Sequence, residues 1–369
     1  MGQQQSRNSA DTNPIMKCFE SLEELQKCLS DQGLKEASLV VGIDFSGSNR
    51  QSGMNTFKKN LHTLSEEEVN PYIKVMDIIG RTLQPYDDDG LIQVYGFGDK
   101  RTTDRSVFNL KTFITRQEEI ERKKQKNPNY DEDSHIRRKT KEKKQEDTEH
   151  ELNDCFIGMK EAIEGYKQVV PKITLSGPTS FAPLLQVVKE RLKSKNEYTI
   201  LAIITDGKIS DIGTNRKEIE EISKYPVSII CIGVGDGPYD LMEAFDDSVK
   251  SYKFDNFNFV DFEKTMKEAE DKENKDAYFS CVAMSEIPDQ YKYIVDHHYL
   301  DDDFVRKMTR DDDYSSTSSS DDDKKKEKKD KKEDDNNDSA KPSEEVSANV
   351  LDSDINASTT SLKEDESII

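Results

Sequence analysis

A doubly wound α/β fold, with a mostly parallel sheet and helices on both faces, is predicted by three observations. The runs Ser38–Asp44, Tyr198–Thr205 and Val227–Val234 are almost continuously apolar instead of alternating, as in strands buried on both sides. Stretches with apolar residues at helical spacing lie between them. Two of the runs stop at acidic loops, Asp44-Phe45-Ser46-Gly47-Ser48 and Asp206-Gly207. In such folds ligands collect outside the carboxyl ends of the strands.

The elements follow in order. A short helix is expected around Ser21–Ser30, with Cys28 on its apolar face. Ser38–Asp44 is the first strand. Asn70-Pro71 opens a helix with proline in its first turn, and Tyr72, Val75, Met76, Ile79 and Leu83 mark its buried stripe. Leu91–Tyr95 is a second strand, ended by Gly96-Phe97-Gly98-Asp99. Phe156, Met159, Ile163, Tyr166 and Val170 predict a helix that stops at Pro171. Phe181–Leu192 is a helix after Gly177-Pro178-Thr179-Ser180. Tyr198–Thr205 is the clearest strand. Ile219–Ser223 lies on a helix, Val227–Val234 is a buried strand, and a short strand is expected at Phe257–Val260.

Composition bounds the rest. Of 369 residues, 33% are hydrophobic and 35% charged, too polar a mixture for a chain folded throughout. The apolar residues concentrate between Leu39 and Tyr293, which predicts one domain of roughly 200–250 residues. A net charge of -21 argues against nucleic acid as a partner. Cys18, Cys28, Cys155, Cys231 and Cys281 form no CxxC pair, so neither a disulfide framework nor a structural zinc site is expected, and a reducing cytosol fits. No apolar run reaches the length of a membrane span, and the N-terminus has no apolar signal core.

The domain is expected at 38–295, with 1–37 as a leader. A charged insertion is expected at about 116–150, with runs such as Arg122-Lys123-Lys124, and residues 296–369 as a disordered Asp-, Lys- and Ser-rich tail. The start, Met1-Gly2-Gln3-Gln4-Gln5-Ser6, fits the pattern for N-myristoylation at Gly2. One such chain gives only marginal membrane attachment, with a constant of about 10⁴ M⁻¹.

The chemistry resides in three loops. Asp44-x-Ser46-x-Ser48 sets two hydroxyls and a carboxylate in a tight turn, and Gly47 lets the loop approach an ion. Alone, such a string is as readily a helix-capping loop. Thr179 precedes a helix and Asp206 follows the strongest strand, so a shared sheet edge would surround one point with Asp44, Ser46, Ser48, Thr179 and Asp206. Hydroxyls and carboxylates suit a hard divalent cation, Mg²⁺ first, with Mn²⁺ or Ca²⁺ as alternatives. Competing motifs are weak. Gly233-x-Gly235-x-Gly237 lacks the Lys-Ser/Thr of a phosphate loop, and no Gly-x-Ser-x-Gly elbow is present. A phosphatase with Asp44 as nucleophile would want a second acid where Ser46 stands.

These five residues resemble the metal-ion-dependent adhesion site (MIDAS) of von Willebrand A domains, a Rossmann-like doubly wound fold. Longer motifs are similar to the copine branch: Val41-Gly42-Ile43-Asp44-Phe45-Ser46-Gly47-Ser48-Asn49, Asn70-Pro71-Tyr72, Tyr95-Gly96-Phe97-Gly98, Gly177-Pro178-Thr179-Ser180-Phe181, Phe254-Asp255-Asn256-Phe257 and Glu286-Ile287-Pro288. Ile79-Gly80-Arg81-Thr82-Leu83 especially resembles the plant copine-like RING ubiquitin ligases. Copines usually carry two C2 domains ahead of this one, and fewer than 40 residues precede Leu39. A RING needs dense Cys and His, and only His297 and His298 follow Cys281. The resemblance implies a non-enzymatic, metal-dependent binding module. It would be cytoplasmic, peripheral on the plasma membrane if myristoylated, and would receive an Asp or Glu of a protein partner. An adaptor role in a ubiquitin-ligase pathway and a metal-dependent hydrolase are the alternatives.

Overall fold

The computed structural model describes residues 21–31, 33–127, 154–246, 253–301 and 304. Seven strands form one sheet: β1 (Ser38–Asp44), β2 (Leu91–Phe97), β3 (Phe108–Asn109), β4 (Phe156–Ile157), β5 (Thr199–Thr205), β6 (Val227–Gly233) and β7 (Phe257–Asp261). Their order is β3-β2-β1-β5-β6-β7, with β4 also on β2. The pairings β1–β2, β1–β5, β5–β6 and β6–β7 are parallel. The two-residue strands β3 and β4 pair antiparallel with β2. The fold is therefore the mostly parallel, doubly wound α/β sheet that the apolar runs predict.

Ten helices accompany it among the described residues: α1 (Leu22–Asp31), α2 (Pro71–Leu83), α3 (Leu110–Lys126), α4 (Gly158–Val169), α5 (Ala182–Ser194), α6 (Ile212–Ile222), α7 (Asp240–Asp246), α8 (Phe262–Glu268), α9 (Lys275–Ala283) and α10 (Ile287–Asp296). Strand parity explains why the runs are continuous. Val41, Ile43, Ala202, Ile204, Ile230 and Ile232 face a core shared with α1, α2, α4, α9 and α10. Their neighbours Val40, Leu201, Ile203, Ile229 and Cys231 face a second core built with α5, α6 and α7. Because a strand turns successive side chains to opposite faces, both parities must be apolar here.

Local chemistry sets several boundaries. Asn70 caps α2, its side chain accepting from Ile73 N at 2.9 Å, with Pro71 at the first helical position. Asn109 caps α3 by accepting from Thr112 N at 3.0 Å. Other boundaries differ from expectation. Phe156 belongs to β4, not to a helix, and the helix begins at Gly158, whose positive φ of 70° turns the chain out of the sheet. β2 runs on to Phe97, where Phe45 N donates to its carbonyl at 2.8 Å. The charged segment starting at Arg116 begins inside α3, which buries Leu110, Phe113 and Ile120. The insertion is expected to be flexible or helical, and it is helical where it begins because one buried face suffices to anchor so charged a helix.

Packing continues on both sides of 38–295. Leu25, Leu29 and Leu34 are buried in the first core, as is Tyr299, with Leu300 and Phe304 against it. Gly2, residues 128–153 and the tail from 305 lie outside the described residues, as does Cys18, while Cys155, Cys231 and Cys281 are buried and form no disulfide. No described helix is long and apolar enough to cross a membrane.

Leu201 is fully buried on β5. Leu201→Ala is expected to cost about 2–5 kcal/mol in urea denaturation. Removing the exposed Lys167–Glu164 pair on α4 with Glu164→Ala should change stability by less than about 1 kcal/mol.

Candidate metal centre

The chain leaves β1, winds outward to β2, then returns across the sheet to place β5 beside β1. This reversal opens a crevice at the carboxyl ends of β1 and β5. Asp44 is the last residue of β1 and Asp206 follows the last residue of β5; the register pairs Ile43 with Ile204, so Asp44 ends beside Thr205 and Asp206 follows one residue on, near enough for its charge to act on Asp44. Both are fully buried.

The first loop wraps back on Asp44. Ser46 N donates to Asp44 Oδ1 at 2.8 Å, and Thr205 Oγ1 donates to Asp44 Oδ2 at 2.7 Å. Ser46 Oγ and Ser48 Oγ lie 2.9 Å apart, so the two hydroxyls share one side of the turn. The segment before α5 runs alongside: Ser46 bridges Ser176, and Gly47 N donates to Ser176 O. It delivers Thr179, whose carbonyl accepts from both Ser210 N and Ser210 Oγ at 2.8 Å. Thr179 Oγ1 is buried and has no hydrogen-bond partner.

Gly98 shows how closely these groups converge. Its φ is +78°, and a Cβ placed there would strike Thr179 Oγ1 and lie 3.1 Å from Ser46 N and 3.2 Å from Asp44 Oδ1. The second strand's exit must therefore be glycine for the three segments to meet. All five residues singled out in the sequence, Asp44, Ser46, Ser48, Thr179 and Asp206, stand around this crevice. An orphan hydroxyl beside buried carboxylates could serve a hard cation, since an unpaired buried polar atom is otherwise costly. No cluster of three or more His, Cys, Asp or Glu able to hold a metal occurs among the described residues.

Several supporting residues were not legible as such. Ser52 Oγ donates to Asp206 Oδ2 at 2.8 Å, and Lys208 N donates to Asp206 Oδ1 at 3.1 Å. Asp236 clasps the Ser52 loop by accepting from Asn55 N at 2.9 Å and Thr56 N at 2.8 Å. Asn49 Nδ2 donates to Ser46 O at 3.2 Å, and the Tyr72 hydroxyl donates to Asn49 Oδ1 at 2.7 Å. Beneath the loop, His62 Nε2 lies 2.9 Å from Asp44 O and Nδ1 lies 2.8 Å from Tyr166 OH. A carbonyl only accepts, so Nε2 carries the proton and Nδ1 accepts from tyrosine. Burial depresses the His62 pKa to about 3, which keeps the ring neutral. Its ring stacks between Phe45 at 4.9 Å and Tyr72 at 4.2 Å. The sequence signals for these residues were Asn49 inside the Asp44 motif, Tyr72 after Asn70-Pro71, Tyr166 on a helical stripe and Asp236 within the glycine-rich turn.

The profile of the family described as Copine matches residues 60–124 and 134–303. This chain belongs to the copine family. Thr179 and Asp206 fall within the match, and the Asp44–Ser48 loop lies just ahead of it. "Copine family protein 2" of Caenorhabditis elegans is 39% identical over 277 residues, covering 75% of this chain and 3% of that protein. "Copine family protein 1" of the same organism is 36% identical, over 78% of this chain and 22% of its own length. The chain thus spans a small part of these nematode relatives. "E3 ubiquitin-protein ligase RGLG3" of Arabidopsis thaliana is 36% identical, over 74% of this chain and 68% of the ligase. Among solved structures, manganese-loaded Plasmodium vivax TRAP protein superposes with a TM-score of 0.38 at 12% identity, over 64% of this chain and 72% of that one. A von Willebrand factor type A protein from Catenulispora acidiphila gives 0.34 at 12%, over 68% and 43%. Superpositions this loose carry no weight for the site.

Burial, and next to it the charge of Asp206, push the Asp44 carboxyl up to about 7 against the hydrogen bonds from Thr205 and Ser46. Its unfolded value is about 3.9. Between those values the native protein holds a proton that the unfolded chain releases, so this stabilisation is lost as pH rises through about 7. Metal-free protein in chelator should therefore lose roughly 2–4 kcal/mol of stability between about pH 4 and 7.5. Asp44→Asn should flatten the profile. Denaturant midpoints across this range decide it, and a flat wild-type profile would exclude the carboxylate strain.

Proposed function

We propose that this copine-family domain is a non-enzymatic binding module that takes up a divalent cation at Asp44, Ser46, Ser48, Thr179 and Asp206 and presents it to a protein partner. The observation that carries the reading is the partnerless, buried Thr179 hydroxyl set beside two buried carboxylates and two serine hydroxyls. The Ser46, Ser48 and Thr179 hydroxyls would hold the ion, with Asp44 and Asp206 acting directly or through water. Oxygen donors alone favour Mg²⁺, with Mn²⁺ or Ca²⁺ acceptable. A bound ion would supply a coordination position for an outside ligand. That position suits an Asp or Glu side chain of the partner, which this acidic chain would otherwise repel.

A hydrolytic role for Asp44 is disfavoured, because both of its oxygens are engaged by Ser46 and Thr205. A place beside ubiquitin ligation is a second reading. It draws on the ligase names of relatives such as RGLG3 and RGLG2, 36% and 33% identical. Here the chain would act as an adaptor, with any RING supplied elsewhere. Action at the cytoplasmic face of the plasma membrane would follow from myristoylation of Gly2.

Mg²⁺ is expected to raise the Tm of the wild type and not of Asp44→Ala, read by differential scanning fluorimetry. A pull-down with Mg²⁺ should retain partners that chelator or Asp206→Ala releases. Equal Mg²⁺ shifts in wild type and Asp44→Ala would refute the site. For the lipid anchor, Gly2→Ala should move the protein out of the membrane fraction of cells, and an unchanged distribution would dismiss it.

A further inference from the structure

The site carries a positive charge of its own. Gly207, at φ +81°, turns the chain immediately after Asp206 and brings Lys208 back over it. The Lys208 backbone N donates to Asp206 Oδ1 at 3.1 Å, while Lys208 Nζ donates to Ser52 Oγ at 3.0 Å. Ser52 Oγ in turn donates to Asp206 Oδ2 at 2.8 Å. One residue thus closes a ring around both oxygens of the carboxylate, with its ammonium one hydrogen bond away from the charge. Asp236, which accepts from Asn55 and Thr56, holds the Ser52 loop in the position this ring requires.

We propose that Lys208 is a counter-ion linked to Asp206 through Ser52 in the absence of metal and thereby sets the affinity of the site for a divalent cation. The inference rests on the metal-binding reading above and specifies how that binding is tuned. Two neighbouring buried carboxylates need a positive charge nearby. An ammonium on a flexible four-carbon stem can supply it and can also withdraw, because Lys208 is exposed to water. A divalent ion entering beside Asp206 claims the same negative charge and is repelled by the ammonium. Binding metal therefore means displacing or tolerating Lys208, and the observed affinity is the intrinsic affinity reduced by that competition. The charge also bears on the loaded state. Two carboxylates, one divalent ion and one ammonium leave a net positive centre that an acidic side chain would meet.

The test is calorimetric titration of the full chain with Mn²⁺ and with Mg²⁺, using wild type, Lys208→Met, Lys208→Gln and Lys208→Arg, together with Tm in chelator. Removing the charge in either neutral variant should tighten metal binding by roughly two- to tenfold, the range of a partly exposed ion pair. The same two variants should have a lower Tm in chelator and regain it with metal. Lys208→Arg should behave like wild type in both readouts, which a purely steric role for the side chain would not produce. Unchanged or weaker metal binding in both neutral variants, with wild type binding normally, overturns this inference and leaves the metal reading standing. No metal binding by any of the four proteins, wild type included, overturns the metal reading and the inference with it.

Discussion

Two carboxylates with no exposure to water, brought together by parallel pairing of β1 and β5, are the constraint around which this domain is arranged. Their negative charge must be met inside a medium that screens poorly. The surrounding residues answer that demand in layers. Thr205, Ser46 and Ser52 donate to the carboxylates, Lys208 adds a cation, and Thr179 waits with an unspent hydroxyl. The neutral His62, wedged between aromatic rings, fixes the carbonyl of Asp44 from below.

The same arrangement explains what the domain can do with a ligand. Hydroxyls are weak donors individually, so on the proposed reading an ion held by them would keep room for an external carboxylate. The buried aspartates are held by hydrogen bonds from Ser46, Thr205 and Ser52. The family relationship agrees with this only at the level of the domain, because the nematode relatives extend far beyond the span shared with this chain.

Much of this could be read from the amino acids. Strands buried on both faces announce themselves as unbroken apolar runs, so β1, β5 and β6 and the acidic residues at their ends were legible. The five candidate ligands followed, since each sits at a strand end or ahead of a helix. Other features obey rules that local sequence does not display. β3 and β4 are two residues each, too short for alternation to register, and Phe156 at the start of a helical pattern was absorbed into it. α3 is mostly charged and anchored by three buried residues. Ser52, His62 and Lys208 owe their roles to the path of the 49–62 loop across the sheet edge. Tertiary contact alone decides that path.

The residues of the site come from three stretches of chain, around 44–48, 179 and 206, that only the completed central sheet brings together. No fragment containing one or two of them has the donor set. On the reading proposed above, the donor set would exist only once β5 is seated against β1, so occupancy of the crevice would report on completion of the sheet beneath it.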